Sequence, residues 1–383
     1  MDITQNGIFI LAVLFLNIVL SEWLVKRTFL RHLGVALLVI LLTAVVANVG
    51  IIPTSSNTVP LYDGIFNIVA PVAIFLLLLE VNLKNLKLAG PPMIIMFLVG
   101  SVGTAVGVIA ADYLIDAKNT IGPLHHAVGG MFTGTYTGGS INFNALAMYY
   151  QVNREGMLYA TSVAIDNIAT TIWMIATIAI PKFLQKKMPR IKTGVNPDSA
   201  GSDKQNQQRF IIIDITLLLA LALVAKFVSD QAANWLLQHG VQIPSILILT
   251  TISLVIAQIP VISRLKSSRS LGLLGVYLFL AVIGAYCDIA SLMQNGQLAL
   301  VLFLFVVIII GIHAILIYGM GALLKYDWDI IAVASQANIG GSTSALALSE
   351  SLGRHDLLLS AILVGSLGNG IGTYLGFIIA GLL

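Results

Sequence analysis

A chain of 383 residues that is 58% hydrophobic and 10% charged, with a mean hydropathy of +0.95, has too few polar groups to make a water-facing surface. That excludes a soluble globular protein. The formal net charge of +3 comes from short basic clusters between apolar runs, which argues against a nucleic-acid partner and for a lipid bilayer as the surroundings. The single cysteine, Cys287, lies in an apolar segment, so neither a disulfide framework nor a cysteine-rich metal site is expected.

The residues before the first apolar run lack the positive stretch of a signal peptide, and Lys26 and Arg27 follow it. The run therefore reads as a spanning helix with its N-terminus outside. Spans are predicted at 7–25, 33–51, 60–82 and 91–115, each near the ~20 residues that cross a bilayer. Pro71 predicts a kink in the third. Residues 119–153 differ, being rich in Gly, Thr, Asn and Tyr, and a further span follows at 155–184. The polar, turn-forming stretch 186–209 reads as a linker between a first half, 1–185, and a second, 210–383. The second half repeats the plan with spans at 210–228, 244–260, 270–289 and 297–324, a small-residue segment at 329–353 and a last span at 357–383.

The two unusual segments superpose. Gly138-Gly139-Ser140 falls on Gly340-Gly341-Ser342 with a shift of 202 residues, and the same shift lays Asn167 on Asn369 and Thr171 on Thr373. Internal repeats of this kind are the mark of many secondary transporters. Charge then decides how the segments sit. If both cross the membrane, the 20 Lys and Arg divide 12 against 8 between its two sides. If both dip in and return, 17 share one side and only Lys118, Arg154 and Lys226 lie on the other. The positive-inside rule selects the second arrangement and makes the linker cytoplasmic. Each half then holds five crossings and one re-entrant hairpin, so the second half is inverted and the two Gly-Gly-Ser tips approach from opposite faces. Treating 329–353 as a crossing would move only Arg354, so that hairpin rests on the repeat. The expected fold is an all-α membrane protein of two inverted repeats.

Irregular backbone at membrane depth survives only where protein or a wet cavity surrounds it, which makes the tips the expected binding site. Gly138, Gly139, Gly340 and Gly341 permit positive φ and close backbone approach. Ser140, Asn142, Asn144, Ser342, Thr343 and Ser344 open the returning arms, where free N–H groups favour an anion, unless these side chains simply cap their helices. Asp166 lies mid-span and is followed by Asn167. A carboxylate there is a functional group by default, either as a ligand of Na⁺ with Asn167 or as a proton carrier. Asn369 is the matching residue of the second half, with Gly368 where the aspartate would be. No Lys or Arg lies mid-span, which counts against a di- or tricarboxylate substrate. His313 reads as a packed, hydrogen-bonded histidine. Glu80 reads as a surface partner of Lys84, and the adjacent His125 and His126 face apart. No nucleophile–base pair or metal cluster appears at depth, so no enzyme and no bound cofactor beyond a coupling Na⁺ is expected.

Gly-Thr-Tyr-Thr-Gly-Gly-Ser-Ile-Asn-Phe-Asn at 134–144 and Ala-Asn-Ile-Gly-Gly-Ser-Thr-Ser at 337–344 resemble the YjcL-like family of uncharacterised membrane proteins, over essentially the whole chain. More distantly, the paired hairpins are similar to those of glutamate:sodium and citrate:sodium symporters, with Ile141 and Thr343 in place of the last glycine of their Gly-Gly-x-Gly motif. That resemblance implies an elevator-type transport domain working against a homodimerising scaffold in the inner membrane. The expected function is coupled transport, by Na⁺ or H⁺, of a small anionic or zwitterionic solute such as an amino acid or organic acid. The alternative is a cation/proton antiporter using Asp166 and Asn167.

Overall fold

A computed structural model describes residues 3–28, 34–54, 59–81, 83, 86–190, 212–241, 243–262, 265, 267–287 and 296–383. Most of the linker, with Arg31, Lys84, Arg264, Lys266 and Asp288, lies outside the described residues.

All regular structure among the described residues is helical. Among the described residues, eight helices are long and apolar enough to cross a membrane. They are α1 (Gly7–Arg27), α3 (Pro60–Leu78), α4 (Pro91–Leu114), α7 (Gly156–Lys187), α8 (Ile212–Gln238), α10 (Ser268–Ala285), α11 (Gly296–Leu323) and α14, for which Leu358–Leu382 is the continuous helix. Two predicted spans are shorter. α2 (Gly34–Asn48) and α9 (Ser245–Ala257) have 15 and 13 residues, about 22 and 20 Å at 1.5 Å per residue. Gly50, at φ 86°, turns the chain after α2, and Pro244 and Pro260 bound α9. α8 runs ten residues beyond its expected end at 228, because Lys226 and Asp230, a polar break in the sequence, pair with each other along one helix face. In α3 the kink expected at Pro71 takes the form of a widened π turn over Ile65–Val69, which accommodates the missing proline N–H.

The two glycine-rich segments each fold into paired helical arms. α5 (His125–Gly138) and α6 (Ser140–Tyr149) form the first; α12 (Trp328–Ile339) and α13 (Gly341–Ser351) form the second. The longest arm has 14 residues, about 21 Å, which is too short for a ~30 Å hydrocarbon layer. Each pair is closed at its open end. The rings of His126 and Tyr150 meet edge-on at 5.3 Å across the first. Across the second, Arg354 donates to Asp327 at 2.6 Å and Asp329 at 3.0 Å. Burial lowers the affinity of this guanidinium for its proton, but the carboxylates of Asp356, Asp327 and Asp329 outweigh that and raise its pKa. Both segments therefore turn back on themselves.

The helices gather into two bodies. In one, α10 packs on α2 and α3, α8 and α9 pack on α3, and α1 lies against α2 and α10. In the other, α4 crosses α11, α5 packs on α14, and α12 packs on α4 and α7. Glycines set these close crossings: a Cβ at Gly107 would stand 2.9 Å from the Ile309 carbonyl oxygen. Contact between the bodies is sparser, with α2 and α10 on α7, α3 on α6 and α9 on α14. Every residue of α12 is buried, so this arm is enclosed by protein up to the break that follows it. Outward faces carry large apolar residues such as Leu16, Trp23, Ile213 and Phe227, as lipid contact requires.

Candidate functional site

The hairpin tips meet. Gly139 and Gly341 take φ of 104° and 75°, values that disfavour any side chain. A Cβ built on Gly341 would stand 3.7 Å from the Gly138 carbonyl oxygen and 3.8 Å from the Gly139 Cα. Both tips are seated on α14. Gly138 lies so close to the backbone of Gly368 and Asn369 that a methyl group there would overlap it, and Gly365 is equally close to Ser342. This gives the asymmetry at position 368 a physical reason: a side chain there would overlap the backbone of Thr137 and Gly138.

Neither Gly139 nor Gly340 is followed by a side-chain cap, so the serines and threonine at the tips do not close their own helices. Ser344 instead donates back to the Gly340 carbonyl at 2.8 Å. The first N–H groups of α6 and α13 thus begin beside a cavity of about 340 Å³. Gly138, Gly139, Ser140 and Asn144 line it from the first hairpin, and Gly340, Gly341, Ser342 and Thr343 from the second. Asn369 completes this side, while Leu77, Glu80, Arg269 and Leu273 form the facing wall on the other body.

Four expected site residues lie away from the cavity. Asn142 is a fully used brace: its amide donates to Gly134 at 3.3 Å and Gly368 at 3.2 Å, and its oxygen accepts from Thr373 at 2.8 Å. Ser344 is occupied as described. Asp166 sits on α7 beside Tyr136 and Tyr159, its carboxyl group facing the buried Tyr136 hydroxyl. Asn167 follows it, its carbonyl accepting from Thr171 at 2.8 Å. The link from Asp166 toward the cavity runs through Tyr159, whose hydroxyl donates to Asn144 Oδ1.

His313 is fully engaged. Its Nδ1 faces the Gly100 carbonyl at 2.9 Å, which can only accept, so Nδ1 carries the proton. Nε2 then accepts from Ser335 at 2.9 Å, and Ser335 accepts from Trp173 at 3.1 Å. His125 pairs with Asp112 at 2.8 Å, and its ring meets that of His126 edge-on at 5.7 Å, so the two do not face fully apart as expected. No cluster of three or more His, Cys, Asp or Glu suited to a metal ion occurs among the described residues.

Sequence reasoning missed Glu80 and Arg269. Glu80 reads as a surface charge four residues before Lys84, and Arg269 belongs to a basic cluster; both are exposed, and the end of α3 and the start of α10 bring them to the cavity. Tyr136 and Tyr159 were also missed, because an aromatic residue at helical spacing reads as core.

The family model described as "Protein of unknown function (DUF819)" matches residues 9–383. The chain is also 31% identical over 348 residues to the "Uncharacterized membrane protein YjcL" of Bacillus subtilis (strain 168), an alignment covering 87% of this chain and 85% of that protein. With its eight apolar helices, this all-helical, multi-pass membrane protein belongs to the DUF819 family, as the resemblance in its two glycine motifs implies.

Proposed function

We propose that the protein is a secondary active transporter of a small anionic or zwitterionic solute, coupled to Na⁺ or H⁺. One observation carries this reading: two uncapped hairpin tips meet beside a cavity whose other wall belongs to a separate body of helices. N-terminal N–H groups and their dipoles suit an anionic group, and backbone at the tips suits close approach.

The helix packing supports two inverted repeats. Number the spans one to five in each half, with the hairpin before the fifth. Third then packs on third (α3 on α10) and fourth on fourth (α4 on α11). Each hairpin's first arm packs on the other half's fifth span, α5 on α14 and α12 on α7. Second packs on the other half's third, α2 on α10 and α9 on α3. An exchange of halves maps these contacts onto one another. The body of first, second and third spans is the scaffold in this reading, and the body holding the hairpins is the element that moves. Glu80 and Arg269 adjoin the basic loops, so the cavity faces the cytoplasm. The N-terminus is outside, 186–209 is cytoplasmic, and the assembly is a homodimer in the cell's inner membrane.

Asp166 supports the coupling step. It is a carboxylate packed beside the first hairpin, one tyrosine removed from Asn144. Because it does not line the cavity, ion and solute occupy separate places, and a cation/proton antiporter using Asp166 and Asn167 is the competing reading.

Thermal stability of the purified protein separates them. A solute should raise the melting temperature, and at 100 times its Kd the stabilisation should be about 2.7 kcal/mol. Na⁺ or a lower pH should strengthen that solute effect. Stabilisation by cations alone, across a broad panel of anionic and zwitterionic solutes, would select the antiporter.

A further inference from the structure

The cavity's two walls differ in charge. Its hairpin side presents no ionisable side chain: backbone N–H groups, the hydroxyls of Ser140, Ser342 and Thr343, and the amides of Asn144 and Asn369. The scaffold side presents two charges of opposite sign, Glu80 just beyond α3 and Arg269 at the start of α10.

The hairpin side is also oriented. Tyr159 is fully buried, and its hydroxyl donates to Asn144 Oδ1. With that oxygen engaged, Asn144, which lines the cavity, has its two-proton amide nitrogen left to donate. The uncapped starts of α6 and α13 add N–H donors and the positive ends of two helix dipoles. Donors on one wall call for a carboxylate. Glu80 on the other calls for a cation, and Arg269 cancels its charge, so the lining as a whole is neutral. A dicarboxylate would set its second charge against Glu80. A simple amine would present its ammonium to a wall of donors. The volume of about 340 Å³ is at the small end for ligand pockets.

We infer that the solute is a zwitterion of the α-amino acid class, with its carboxylate at the Gly-Gly-Ser tips and Asn144 and its ammonium toward Glu80. This rests on the transporter reading and narrows it. Glu80 and Arg269 then determine specificity from the scaffold side, and the hairpins carry the carboxylate.

The test is solute-induced thermal stabilisation of the full-length protein. The panel holds neutral, acidic and basic α-amino acids, their deaminated and N-acetylated analogues, their amides, and dicarboxylates. Glu80→Gln and Arg269→Gln are run beside wild type, with melting without solute as the folding control. At least one α-amino acid should stabilise wild type, with its deaminated, N-acetylated and amidated forms at least 10-fold weaker. Glu80→Gln should lose at least 10-fold in apparent affinity for the amino acid and not for its deaminated analogue. Should either variant melt far below wild type, the analogue series on wild type decides alone. Equal stabilisation by amino acid and deaminated analogue, unchanged in Glu80→Gln, would overturn the zwitterion and leave the transporter standing. No shift by any solute would remove both.

Discussion

At the scale of single residues, the site depends on what is missing as much as on what is present. Gly138 has no room for even a methyl group, because the atoms it would meet are backbone atoms of Gly368 and Asn369. Gly138→Ala should cost about 1–3 kcal/mol of stability and part the tips, read as a lower melting temperature and weaker solute stabilisation. Gly7→Ala, with nothing within 4 Å, should leave both unchanged. Tyr159→Phe removes the donor to Asn144 and frees that amide to turn. It should cost about 1–3 kcal/mol for the acceptor left buried and reduce solute affinity through Asn144. Asp166→Asn keeps the shape and removes the charge. Ion-dependence of solute binding should vanish in this variant while solute binding itself remains; unchanged ion-dependence would remove Asp166 from the coupling role.

At the scale of elements, the hairpins depend on how their open ends are fastened. The second is held by Arg354, buried against Asp327 and Asp329 and engaging Asp356 through two nitrogens. Arg354→Met would take this buried guanidinium away from the carboxylates it joins, a loss of about 3–5 kcal/mol, measurable by thermal melting. Arg354→Lys should recover only part, since one ammonium cannot reproduce the guanidinium fork. Much of this layer was legible in the sequence. Doubled Gly-Gly-Ser motifs at a constant shift pointed to paired tips, and charge counting pointed to a first segment that turns back, as its two packed arms do. The clasp was not legible, because Arg354 reads as one more basic loop residue until Asp327 and Asp329, 25 or more positions earlier, are brought beside it. Glu80 and Arg269 were hidden in the same way: each looks like a loop charge, and only the packing of α3 on α10 aims both at one cavity. Asn142 differs in the other direction, since the structure places it away from the cavity. A polar residue two positions past the motif suggests a ligand, whereas all its hydrogen-bonding capacity goes to holding α5 against α14.

At the scale of the whole molecule, two bodies touch sparsely and share a cavity. That division is what a moving hairpin body against a fixed scaffold requires, and it predicts a result of cross-linking. Because Cys287 is the one native cysteine, a Cys287→Ala background is available. Cysteines at Leu273 and Ser342, which line the cavity from the two bodies, should be bridged by a short reducible bifunctional thiol reagent and stop transport, with transport restored by reduction. A linked pair that still transports would rule out relative motion of the bodies at this place.

The central claim, coupled movement of a small solute through the meeting point of the tips, is tested most directly by uptake into proteoliposomes under an imposed Na⁺ or H⁺ gradient. The account predicts concentrative uptake of a zwitterionic amino acid that collapses when the gradient is dissipated and is lost in Gly138→Ala. Exchange of Na⁺ for H⁺ with no solute movement across the panel would contradict it.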